Sequence, residues 1–163
     1  MQRRLLLAAG VLGLSGCGFR LREAPDFAFD SIAIPGSTSG VAAQLRRTLS
    51  GSGGVRVLAA GEAPSQAQVV LDILAEQREK VVVGLNATGQ VREFQLRTRF
   101  KFRLRTPQGR ELIPDTELVQ ERDVSFNESA VLAKEAEEGL LYRDMQNDLV
   151  QQLMRRLAAV KSL

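Results

Sequence analysis

The sequence has no histidine, no tryptophan, one tyrosine (Tyr142) and one cysteine (Cys17) in 163 residues. Without histidine there is no Ser–His–Asp triad, no Cys–His pair and no imidazole-held metal. A single cysteine excludes an internal disulfide and a cysteine-clustered zinc. Most familiar catalytic chemistries, and the usual metal and cofactor sites, are therefore not expected. What is present is ordinary for a globular chain, with 44% hydrophobic and 25% charged residues. The length allows one domain.

The first sixteen residues differ from the rest. Arg3 and Arg4 precede a run of mostly apolar residues from Leu5 to Leu14. Such a run is too short to span a bilayer, which takes about 20 apolar residues, but it suits a signal peptide. Leu14-Ser15-Gly16-Cys17 follows, and it resembles the bacterial lipobox, with cleavage between Gly16 and Cys17 and acylation of Cys17. The expected division is a signal peptide over 1–16, a lipidated N-terminus and tether over 17–29, and one folded domain over 30–163. Loss of Arg3 and Arg4 lowers the net charge from +3 to +1. That small value, together with secretion, argues against a nucleic-acid partner. A single acyl chain holds a membrane weakly, whereas several hold it firmly. In the lipoprotein pattern an Asp after the cysteine retains the protein at the inner membrane. Gly18 instead predicts the outer membrane.

Within the domain, Phe29 to Ile34 reads as a short strand stopped by Pro35-Gly36. Val41, Leu45 and Leu49 recur every four residues and predict a short amphipathic helix, ended by Gly51-Ser52-Gly53-Gly54. Val55 to Leu58 predicts a second short strand, and Ala60 to Gln66 a loop. From Phe94 to Arg105, apolar and polar residues alternate, which marks a half-buried strand. It pairs with a β-rich run from Val69 to Leu85 through the turn Asn86–Gly89. A third long strand, Leu112 to Val124, follows the turn at Pro107–Gly109. Gln77 and Glu79 fall on the nominal core face of the first long strand, so either a bulge reverses its phase or the core ends before them. From Ser129 the pattern is helical, with a stripe of Leu141, Met145, Leu149, Leu153 and Leu157 and a possible bend at Gly139.

Five cations, Arg97, Arg99, Lys101, Arg103 and Arg105, share one face of the central long strand. They are open to two readings, a polyanion-binding patch or an ion-pair ladder. The simplest hairpin registers place Arg99 opposite Glu76 and Glu117, Arg103 opposite Asp72, Lys101 opposite Asp115, and Arg105 opposite Glu111. In those registers Arg78, Lys80 and Arg92, near the hairpin tip, lack facing acids. They are the candidates for an external anion.

Cys17-Gly18-Phe19-Arg20-Leu21-Arg22 resembles the mature start of the lipopolysaccharide-assembly lipoprotein family LptE, also called RlpB. Gly89-Gln90 with Glu93-Phe94-Gln95-Leu96 resembles its second hairpin strand. Leu132-Ala133-Lys134-Glu135 with Asp144-Met145, Asp148 and Arg156-Leu157 resembles its helix. The resemblance implies an α/β fold, a small two-layer sandwich with two helices on one face of a four- or five-stranded mixed sheet. It implies a non-catalytic outer-membrane lipoprotein that plugs the LptD β-barrel and helps insert lipopolysaccharide into the outer leaflet. It adds Lys134 to the lipopolysaccharide-binding candidates Arg78, Lys80 and Arg92. The family's basic residue close to the hairpin turn has no match, because Ala87 and Thr88 stand there. The alternative reading is a lipoprotein scaffold or pilotin of another envelope machine.

Overall fold

The computed structural model describes residues 26–36 and 38–163. The expected signal peptide, Gly16, Cys17, Gly18 and most of the tether lie outside them. Among the described residues, five strands and two helices follow one another as β1 (Ser31–Ala33), α1 (Gly40–Ser52), β2 (Arg56–Val57), β3 (Val69–Leu85), β4 (Val91–Arg105), β5 (Glu111–Ser125) and α2 (Val131–Ala158). Short 3-10 turns occupy Pro64–Gln66 and Glu128–Ala130. The strands form one sheet in the order β2-β1-β3-β4-β5. β1 is parallel to β2 and β3, and β3, β4 and β5 form an antiparallel meander. The sheet is thus mixed and five-stranded, as the fold expectation allowed.

Both helices cover the same sheet face, because the apolar residues of β4 alternate onto it. Leu96, Phe100, Phe102 and Leu104 are all fully buried. Phe100, Phe102 and Leu104 share one core with Val41, Leu45 and Leu49 of α1 and Leu149, Leu153 and Leu157 of α2, while Leu96 packs with Val124 and Met145. Phe29 is buried and Phe27 packs on the same core, their rings 5.4 Å apart. Phe29 is as deep as the strand that follows it.

The phase conflict in β3 resolves as a bulge. Ile73 pairs with Phe102 and Ala75 with Lys101, leaving Leu74 as the extra residue. Beyond it, Glu76, Arg78 and Lys80 lie opposite Phe100, Thr98 and Leu96, on the helix-covered face. The bulge also moves Arg99 from Glu76 to Gln77. Between β4 and β5 the register shifts on both sides of Leu104, where Pro114 interrupts β5. A proline cannot donate to the ladder, so the strand bulges there. Lys101 consequently faces Glu117 rather than Asp115, while Arg105 keeps Glu111. A single helix, α2, runs through Gly139.

On the open face of the sheet the cations of β4 form an ion-pair ladder. Asp72 holds both Arg103 (2.9 Å) and Arg105 (2.7 Å). Lys101 meets Asp115 at 3.6 Å, and Arg99 lies between Glu79 (3.3 Å) and Glu117 (3.9 Å). Arg97 Nε lies 2.6 Å from Glu121, outside hydrogen-bond alignment, with Glu79 at 3.7 Å. Five cations thus meet five carboxylates. Burial works against the charge on Asp72, but hydrogen bonds from Arg105 and Arg103 outweigh it and hold the carboxyl below the usual aspartate value. The face carries no surplus positive charge for a polyanion.

Candidate functional site

The hairpin tip and the start of α2 lie together. The tip is closed by Asn86, whose side-chain oxygen accepts from the backbone N–H groups of Thr88 (3.0 Å) and Gln90 (2.9 Å). Gly89 takes the left-handed conformation that the turn requires, with φ at 82°. At the other side, Asn127 accepts from Ser129 N–H at 3.0 Å and starts the turn into α2.

Of the four candidate cations Lys80 sits on an aromatic pair, while Lys134 and Arg92 meet the chain beside it, at Ser125 and at the backbone of Phe126. Phe94 of β4 and Phe126 after β5 meet edge to face, 5.2 Å apart. Lys80 Nζ sits 4.2 Å above the Phe94 ring and pairs with Glu138 of α2. Lys134 reaches down from α2 and donates to Ser125 Oγ at 2.9 Å, with Glu137 beside it at 2.8 Å. Arg92 accepts the backbone N–H of Phe126 at 2.7 Å through its carbonyl. Its guanidinium makes no ion pair, hydrogen bond or ring contact with a described residue. It borders an open cavity of about 270 Å³ lined also by Gln90, Asn127, Glu128 and Ser129. Arg78 stands one step toward the body. It donates to Gln146 at 3.1 Å and lies 5.1 Å from the centre of the Tyr142 ring.

As expected, Arg78 and Lys80 lack facing acids across the strand pair, since they lie opposite Thr98 and Leu96. The Leu74 bulge turns both toward α2, where Lys80 finds a carboxylate and Arg78 an amide and a ring. Arg92 and Lys134 are brought to neighbouring backbone positions, Phe126 and Ser125. Pairing on the hairpin alone left the place of Lys134 open, because its contact with Ser125 joins two different elements. Phe126 and Asn127 also belong to this site. The only sequence signal for them was an aromatic and an Asn at the strand-to-helix junction. Among the described residues there is no group of three or more carboxylates or cysteines placed to hold a metal ion. No described helix is long and apolar enough to cross a membrane. The arrangement can take an anionic group at Arg92 and an apolar neighbour on the phenylalanine pair.

A family model described as lipopolysaccharide-assembly, LptE, matches residues 26–157. The chain belongs to the LptE family. A solved structure of lipoprotein B from Nitrosomonas europaea is similar, with 34% identity over 87% of this chain and 91% of that one, at a TM-score of 0.72. Rare lipoprotein B from Shewanella oneidensis shares the fold, at 21% identity, 80% and 95% coverage and a TM-score of 0.66. So does a minor lipoprotein of Acinetobacter baumannii, at 21% identity, 82% and 94% coverage and a TM-score of 0.62. No curated protein matches the chain. Membership makes the protein an envelope lipoprotein of the lipopolysaccharide-assembly class.

Proposed function

We propose that this LptE-family protein is acylated at Cys17, is anchored in the outer membrane, and sits as a plug in the β-barrel LptD. There it supports assembly of the barrel and helps pass lipopolysaccharide into the outer leaflet. The family match over residues 26–157 carries the reading. The surface agrees with it. The lumen of an outer-membrane barrel is polar, and the open sheet face offers it a charge-balanced ladder. With that face neutralised, the cations at the hairpin tip are the better contacts for the phosphates of lipid A, which Lys and Arg bind by charge-assisted hydrogen bonds. Arg92 and Lys134 are the principal contacts, with Lys80 and Arg78 behind them.

Two experiments test the reading. The native lipoprotein, extracted from outer membranes in mild detergent, should co-purify with LptD identified by mass spectrometry. Recovery with a secretin or another machine in place of LptD would replace the reading with the pilotin alternative. Labelling with a fatty-acid analogue should mark the wild type and not Cys17→Ala. Label retained in the variant would move the lipid elsewhere.

A further inference from the structure

We infer that the first turns of α2, over residues 131–142, form a latch that closes over Lys80 and Phe94 and opens while the rest of the domain stays folded. The observations are differences in how the two halves of one helix are held. Every buried residue of α2 lies at or beyond Met145. Ahead of it, Val131, Leu132 and Leu140 are exposed, Leu132 to 82%. Leu141 and Tyr142 are only partly buried, against a small cluster of Leu96, Val124 and Met145 that is distinct from the main core. A helical segment as short as 131–142 is marginal in water without tertiary packing. Gly139 lowers its intrinsic stability further.

Polar ties hold the segment instead. Glu138 pairs with Lys80, Lys134 donates to Ser125 Oγ, and Tyr142 OH donates to the Glu79 carbonyl at 2.9 Å. Two of these ties use cations of the candidate site. Lys80 in particular has Glu138 on one side and the Phe94 ring on the other, so an external anion must compete with the Glu138 carboxylate. Opening would release Lys80 from Glu138 and Lys134 from Ser125, freeing both ammonium groups for that anion. Local opening of weakly packed segments is the ordinary low-energy excitation of a folded domain. That the anion is lipopolysaccharide phosphate rests on the function proposed above, whereas the latch does not.

The test is hydrogen exchange by mass spectrometry on the full lipidated protein in detergent micelles, alongside lipopolysaccharide binding. Amides of 131–140 should exchange at least a hundredfold faster than those of 145–157. Glu138→Gln removes the Lys80 partner and should speed exchange in 131–140 and tighten lipopolysaccharide binding about threefold. Gly139→Ala should act in the opposite sense, since an added Cβ there meets nothing within 4 Å. It should slow exchange about fivefold, equivalent to about 1 kcal/mol, and weaken binding. Uniform protection along the whole of α2 would overturn the latch, as would both variants shifting exchange in the same direction. Opposite shifts in exchange with affinity unchanged in both would overturn its control of the site. If wild type fails to bind lipopolysaccharide while the exchange pattern holds, the proposed function falls and the latch stands.

Discussion

The carboxylate of Glu76 closes the amino terminus of α1, where its Oε1 accepts the backbone N–H of Val41 at 3.1 Å. The loop before that helix, rich in Gly and Ser, has the look of an anion cradle, but β3 supplies the anion. A negative group at a helix amino terminus satisfies an orphan donor and complements the helix dipole. Glu76 reaches it only because the Leu74 bulge turns the strand's phase.

Removing this cap should destabilise the domain modestly. Glu76→Ala is expected to cost about 1 kcal/mol, in line with other lost helix caps. Gly40→Ala should cost more. Gly40 has φ at 59°, and a Cβ there would run into the Glu76 carboxylate. Urea unfolding of both variants checks the order, and a Gly40→Ala midpoint at or above that of Glu76→Ala would contradict it.

Truncation in the main core should cost far more than truncation on the outer side of α2. Phe102 and Leu149 are both fully buried in one cluster. Phe102→Ala or Leu149→Ala should each lose about 2–5 kcal/mol. Leu132→Ala, at a solvent-facing position, should stay within about 0.5 kcal/mol of wild type. Equal urea midpoints for all three would contradict the helix-on-sheet packing.

These contrasts follow what the sequence made legible. The alternation from Phe94 to Arg105 and the spacing of Leu141 to Leu157 each report one element's core-facing side; these faces are buried from Leu96 and from Met145 onward, with Phe94 and Leu141 only partly so. Registers were legible only as far as pairing stays regular: Asp72 meets Arg103 as expected, while Arg99 does not meet Glu76. A bulge is one residue of local geometry, and its position is set by packing of the sheet against α1 and α2. The clash of Gln77 and Glu79 with the core face was its only trace. The site was less legible still. Lys80 to Glu138 and Lys134 to Ser125 depend on where α2 crosses the hairpin, which no periodicity encodes.

Acid should weaken the fold partly through Asp72. Burial opposes its ionisation, but Arg105 and Arg103 lower its pKa below the ordinary 3.8. A carboxyl with a lowered folded value stabilises the native state above its unfolded pKa. That contribution disappears as pH falls through the folded value. Asp72→Asn should therefore be less stable than wild type by about 1.5 kcal/mol at pH 6, where hydrogen bonds to a charged group are intact. The gap should begin to narrow as pH falls through the unfolded aspartate value of about 3.9 and keep closing until the lowered folded value is passed. Urea midpoints of the two proteins from pH 2 to pH 7 give the measurement. A gap that is constant over that range would remove the ionised carboxylate as its cause.

Lipopolysaccharide binding should depend on the tip cations and not on the ladder. Arg92 is the one of the four candidates whose charged group meets no described partner, and Lys134 joins it within one backbone step at Ser125 and Phe126. Reversing both charges, Arg92→Asp with Lys134→Asp, should weaken binding at least tenfold, or about 1.4 kcal/mol. The ladder residue Arg99 is matched by Glu79 and Glu117, so Arg99→Glu should leave affinity near wild type. Wild-type binding should also fall as salt rises from low to physiological strength, because exposed charges are screened over about 8–10 Å. Co-purification with the barrel should survive the double reversal, since the two residues occupy one end of the domain and not its ladder face. The decisive comparison is between the two charge changes in one binding assay. Equal losses for Arg99→Glu and for the double variant would mean that affinity follows net charge. A loss confined to the double variant would tie binding to the hairpin tip.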